Sequence, residues 1–207
     1  MLPSQAAVLA LALAPPALAG LLLGRVIERH LGSPLQIALA LAGGSAAMLA
    51  AELRAAGDHG ADGSRGPEGG RDRTLAEAGA ADGLALGLAQ ALALIPGVSR
   101  SGATIAAARW RGFGRADAHR LSWIVALPVI VGAGLLQGLR LRRRGMAGRP
   151  NGQLRGAMAA GAGAAFCSTL AAGALLRGRV RDCPLTPFAL YRGALAAWVL
   201  LRAGERR

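Results

Sequence analysis

Apolar segments about as long as a bilayer is thick recur along this chain, and arginines collect between them. Residues 5–24, 33–53, 117–139, 154–176 and 185–201 each hold close to the ~20 apolar residues that one helical crossing needs. A chain with this pattern cannot hide its apolar surface in one small soluble core. Lipid is the solvent it fits. Its apolar mass is mostly Ala, Leu, Gly and Val, with aromatics at 3%. Small residues let helix backbones approach closely in lipid, and Gly156, Gly161, Gly163 and Gly173 offer such a face in 154–176. The sequence contains no Lys, so Arg supplies all 24 basic residues and most of the formal net charge of +13. These arginines sit between apolar segments and not along one soluble face, which excludes nucleic acid as the expected partner and favours lipid headgroups.

The first segment resembles a signal peptide but lacks a basic start, so it is expected to remain as a transmembrane helix. Pro15-Pro16 is expected to break it mid-way. Residues 54–81 are rich in Gly, Asp, Glu and Arg and are expected to form a flexible hydrophilic loop. Asp58, His59 and Asp62 within it are weak cation ligands at best, because a solvated loop explains them. Arg140, Arg142, Arg143, Arg144 and Arg149 form the densest basic loop, expected on the cytoplasmic side. Cys167 reads as a packing cysteine and Cys183 as a loop cysteine, with no metal site or disulfide. The chain is therefore expected to be one membrane domain over residues 1–207: an all-α, polytopic helical bundle with about five full spans and one broken, re-entrant element.

That element, residues 82–108, carries the chemistry. An apolar half over 84–95 is interrupted by Pro96-Gly97, and a polar cluster follows: Ser99, Arg100, Ser101, Gly102 and Thr104. Neither half is long enough to span alone, and broken helices at membrane depth occur where backbone is buried in protein or lines a cavity. Pro96 and Gly97 free the chain to turn. Ser99, Ser101 and Thr104 supply hydroxyls, and Gly102 gives a ligand room to approach the backbone. The second half would start a helix whose free N–H groups favour an anion. Arg100 adds a forked positive charge suited to phosphate oxygens. Taken singly, each of these residues reads as structural; together at membrane depth they read as an anion site. Gln90 either faces the site or bonds to a neighbouring backbone. Glu52 and Asp82 sit at segment ends.

The stretch Gly87-Leu-Ala-Gln90-Ala-Leu-Ala-Leu-Ile95-Pro96-Gly97-Val98-Ser99-Arg100-Ser101-Gly102-Ala103-Thr104 closely resembles the signature of the undecaprenyl-diphosphate phosphatase, or bacitracin-resistance, family. Gly112-Phe113-Gly114-Arg115, Ser122-Trp123, Ala126-Leu127-Pro128 and Phe188-Ala-Leu-Tyr191-Arg192 continue the resemblance. It implies an all-helical protein of two inverted repeats in the bacterial inner membrane. It also implies hydrolysis of undecaprenyl diphosphate to undecaprenyl phosphate, which recycles the lipid carrier of wall synthesis. Ser99, Arg100, Ser101 and Thr104 would act on the diphosphate, with Gly97, Gly102 and Gln90 binding it. A divalent cation, Mg or Ca, would assist, yet no acidic ligands for it are identified here. The family's acidic E-x-x-x-E pair and S-S-S-G-H motif do not occur in this sequence. A longer natural chain is the first expectation, with a degenerate homologue or a completing subunit behind it. Exposed faces of a missing repeat make homo-oligomerisation an expectation as well. The alternative function is anionic-lipid binding or transport without hydrolysis.

Overall fold

The structure, a computed structural model, describes residues 3–57, 72–145, 152–175 and 184–204. It is all helical apart from one isolated extended pairing between Arg73 and Phe113. The helices are α1 (Pro3–Leu22), α2 (Gly24–His30), α3 (Pro34–Gly57), α4 (Ala80–Leu92), α5 (Arg100–Trp110), α6 (Arg115–Gly145), α7 (Gly152–Leu175) and α8 (Thr186–Gly204). Two compact units result. Met1–Val129 and Pro184–Arg207 form the first, and Ile130–Cys183 the second.

The core lies in the first unit. Ala12, Met48, Leu86, Ile105, Phe113, Leu121, Val125 and Ala189 bring α1, α3, α4, α5, α6 and α8 together there. Outside that core the helices present large apolar residues to their surroundings, including Leu88, Leu92, Ile124, Leu127, Leu190 and Leu201. An apolar exterior around an apolar core is the pattern of helices solvated by lipid. By length and composition, two helical stretches among the described residues can cross a membrane, Pro34–Gly57 and Arg115–Leu141. Shorter apolar stretches among the described residues lie at Ala6–Leu22 and Gly156–Ala172.

Pro15-Pro16 does not end α1. The helix runs through both residues. A proline lacks the N–H that would bond four residues back, so Pro15 and Pro16 leave the Leu11 and Ala12 carbonyls without their helical donors. Helix α4 covers this gap. Gly83 and Gly87 bring it against α1 so closely that a Cβ on Gly87 would sit 2.5 Å from the Leu11 oxygen and 2.9 Å from the Pro15 ring. This is a small-xxx-small contact. Gln90, one turn further on, donates to the Ala12 carbonyl at 3.0 Å.

The hydrophilic segment is shorter than expected at both ends. Residues 54–57 close α3, and residues from Asp72 onward are tied down. Arg73 exchanges backbone hydrogen bonds with Gly112 and Gly114 and lies over the Phe113 ring at 4.4 Å. Its guanidinium grips both oxygens of Asp82, at 3.0 and 2.7 Å, and Arg111 Nε donates to the same carboxylate at 2.7 Å. Asp82 also accepts from the Gly79 amide, closing the first turn of α4. Burial opposes ionisation of this carboxyl, but Arg73, Gly79 and Arg111 outweigh it and hold the pKa down at about 2. Asp58, His59 and Asp62, like Cys183, fall outside the described residues.

In the second unit, α7 is exposed along the length whose side chains are described. No atom lies within 4 Å of a Cβ built on Gly156, Gly161 or Gly163, so these glycines do not mediate packing within the described residues. Cys167 is exposed, not packed.

Candidate functional site

Helices α4 and α5 return on themselves. Asp82 at the start of α4 meets Arg111 just past the end of α5, and Gln90 near the end of α4 meets Arg100 at the start of α5. The two are therefore antiparallel. With 13 and 11 residues they reach only ~20 and ~16 Å at 1.5 Å per residue. This is the re-entrant geometry that the interrupted apolar run implies.

Residues 93–99 make the turn. Gly97 has φ +102, a conformation that favours glycine. A Cβ there would lie 2.6 Å from the Ile37 carbonyl of α3. Ser99 caps α5, its hydroxyl accepting from the Gly102 amide at 3.2 Å. Arg100 donates through Nε and Nη2 to Gln90 Oε1, at 3.1 and 2.8 Å, and through Nη2 to the Ala126 carbonyl at 2.9 Å. Its Nη1 stays outside these bonds. Ser101 is exposed, and its hydroxyl takes no part in the turn's hydrogen bonds. Arg192 arrives from α8 and donates through Nη2 to the Gly97 carbonyl, while its Nε is buried with no hydrogen-bond partner.

The structure thus brings the expected residues together but gives them different surroundings. Thr104 is 1% exposed. Its hydroxyl faces the Arg100 and Ser101 carbonyls, at 2.9 and 3.1 Å, and the Ser122 hydroxyl at 2.6 Å. It locks α5 to α6 and does not point out of the turn. The room expected for a ligand beside Gly102 is filled by Met48, whose sulfur would lie 2.9 Å from an added Cβ. Gln90 is 2% exposed and takes the second of its two expected places, on the Ala12 backbone, while its oxygen holds Arg100. Arg192 is the residue that spacing could not rank. It is adjacent to Tyr191, which is 70% exposed, and only its contact with Gly97 marks it as part of the turn.

Among the described residues the donor set does not fit a divalent cation. No group of three His, Cys, Asp or Glu residues stands together among the described residues. The buried carboxylates are already engaged: Asp82 by Arg73 and Arg111, Glu52 by Arg115 at 2.9 Å and the Leu185 amide at 3.2 Å. What the turn offers instead is positive charge. Among the described residues Arg100 and Arg192 meet only neutral acceptors there, and no described carboxylate compensates either charge.

Fold and turn together define an all-helical membrane protein organised around a re-entrant helix pair. Residues 4–198 match the family described as bacitracin resistance protein BacA, and the chain belongs to that family. The chain is similar to an undecaprenyl-diphosphatase of Mycobacterium avium, 36% identical over 208 residues, covering 91% of this chain and 64% of the relative. It is similar to one of Methylibium petroleiphilum, 37% identical, covering 94% and 67%. A third, from Thermomicrobium roseum, is 46% identical over 131 residues, covering 63% and 46%. The chain spans about half to two thirds of the length of these curated relatives.

Proposed function

We propose that this protein hydrolyses undecaprenyl diphosphate to undecaprenyl phosphate, as a multi-pass protein of the bacterial inner membrane. The observation that carries this reading is the uncompensated charge of Arg100 and Arg192 at the α5 N-terminus. An anion there finds the helix dipole, the first-turn amides and a forked donor at once. Family membership supplies the polyprenyl diphosphate as its class.

In this reading the terminal phosphoryl group lies over the first turn of α5. Nη1 of Arg100 and the Ser101 amide and hydroxyl donate to its oxygens. Water adds to the terminal phosphorus as the bridging P–O bond breaks, the bridging oxygen leaves with the lipid phosphate, and the two protons of the water end on the inorganic phosphate and the departing lipid phosphate. Negative charge builds on the leaving and equatorial oxygens, and a cation fixed beforehand by Gln90 and Ala126 stabilises it without reorganising. No step is routed through a metal, since the described residues offer no site for one. Self-association belongs to the same reading and is read from the mass of the chain in detergent.

The test is phosphate release from undecaprenyl diphosphate by the purified 207-residue chain, beside Arg100→Ala and Ser101→Ala. Release that both substitutions abolish is the expected result. Release that persists in Arg100→Ala, or an inert unsubstituted chain, would remove the hydrolytic role from this turn.

A further inference from the structure

Arg100 can act on a phosphoryl group only if its guanidinium is held in one orientation, and the groups that hold it reach back to the first helix. Gln90 donates through Nε2 to the Ala12 carbonyl at 3.0 Å and accepts through Oε1 from Nε and Nη2 of Arg100. A carbonyl only accepts and a guanidinium only donates, so this amide has a single workable orientation. The Ala12 carbonyl is available to Gln90 because the residue four positions later is Pro16, which has no N–H to offer it. Gly83 and Gly87 bring the two backbones close enough for the short amide to reach.

We propose that Gln90 is a positioning residue for Arg100, and that the Pro16-exposed carbonyl of Ala12 is the fixed point from which it works. The proline in α1 is then part of the site's alignment, at a distance from the phosphate it serves. The inference rests on the proposed phosphatase reading for its kinetic arm only.

Two substitutions separate alignment from mere stability. Gln90→Met keeps the volume and removes all three hydrogen bonds. Pro16→Ala restores a backbone donor that competes with Gln90 for the Ala12 oxygen, while improving the helix. The expected result for each is a fall in kcat of about ten- to a hundredfold with KM little changed, as for a displaced catalytic group. For Pro16→Ala, Tm is expected to hold or rise. A residue that served stability alone would not separate activity from Tm in this way. The second arm reads the Arg100 Nε–H directly, by its nitrogen-15 resonance and its hydrogen exchange in detergent-solubilised full chain, with Arg100→Ala for assignment. The expected pattern is a slowly exchanging signal that speeds up in both variants. An unchanged Arg100 signal in Gln90→Met would overturn the positioning role. An unchanged signal in Pro16→Ala would overturn the part given to the proline. If the unsubstituted chain releases no phosphate, the resonance arm still decides the inference, and the phosphatase reading fails separately.

Discussion

The two ends of the α4–α5 pair carry similar residues in opposite electrical states. At the open end, Arg73 and Arg111 share the Asp82 carboxylate, and the charges are largely spent on one another. At the turn, Arg100 and Arg192 rest on the Gln90 side chain and on the Ala126 and Gly97 carbonyls, which orient a guanidinium without neutralising it. An arginine paired to a carboxylate holds a fold together. One held only by neutral dipoles keeps its field for something that arrives later.

The comparison breaks most visibly if the turn is discharged. Arg100→Ala is expected to lower kcat/KM for phosphate release by about a hundred- to a thousandfold, the scale for loss of one preorganised donor, and a steady-state assay of the purified chain reads it. At the open end the same loss of a charged partner is expected to act on stability. Asp82→Asn leaves two guanidiniums without their carboxylate and is expected to cost about 3 kcal/mol, seen as a lower Tm. Against the opposing effect of burial, Arg73, Gly79 and Arg111 hold the folded-state pKa of Asp82 down at about 2, below the usual carboxylate range. Its contribution is therefore fully present above the unfolded value and is lost as pH falls through the folded one. Melting curves between pH 5 and pH 2 are expected to show this slope, and Asp82→Asn to lack it.

Gly87→Ala tests the contact beneath both ends. Its Cβ meets backbone and a proline ring, neither of which yields readily, so a loss of about 1–3 kcal/mol is expected from overpacking, measured by thermal unfolding. Thr104→Val is the smallest change. It deletes a hydroxyl that bonds Ser122 at 2.6 Å and is expected to cost about 1 kcal/mol with kcat held. A collapse of kcat at unchanged Tm would return Thr104 to the reacting group.

The turn was legible because its information is local. A proline-glycine stop and a cluster of hydroxyls around an arginine announce themselves within a few residues, although the cap made by Ser99 is seen only in the structure. The helix runs were legible for the same reason. What spacing left open was decided by partners far away in sequence. Gln90 had two readings until Ala12, 78 residues earlier, supplied its acceptor. Pro15-Pro16 looked like a break because the sequence does not show α4 lying against the freed carbonyls. Gly83 and Gly87 are ordinary in a glycine-rich chain until α1 is placed on them. The α7 glycines have the spacing for close packing, and their neighbours do not lie among the described residues.

Glu52 has a bearing on how the molecule is made. Its carboxylate is nearly buried at the end of α3, and its two partners are Arg115 and the amide of Leu185, which follow it in the chain by 63 and 133 residues. During synthesis this carboxylate is therefore produced well before either group that holds it. Arg115 can reach it once α6 has begun, and the last bond forms only when the start of α8 has left the ribosome. The start of α8 thus acts as a latch, and a ribosome stalled before Leu185 would hold a protein in which Glu52 still lacks one of its two partners.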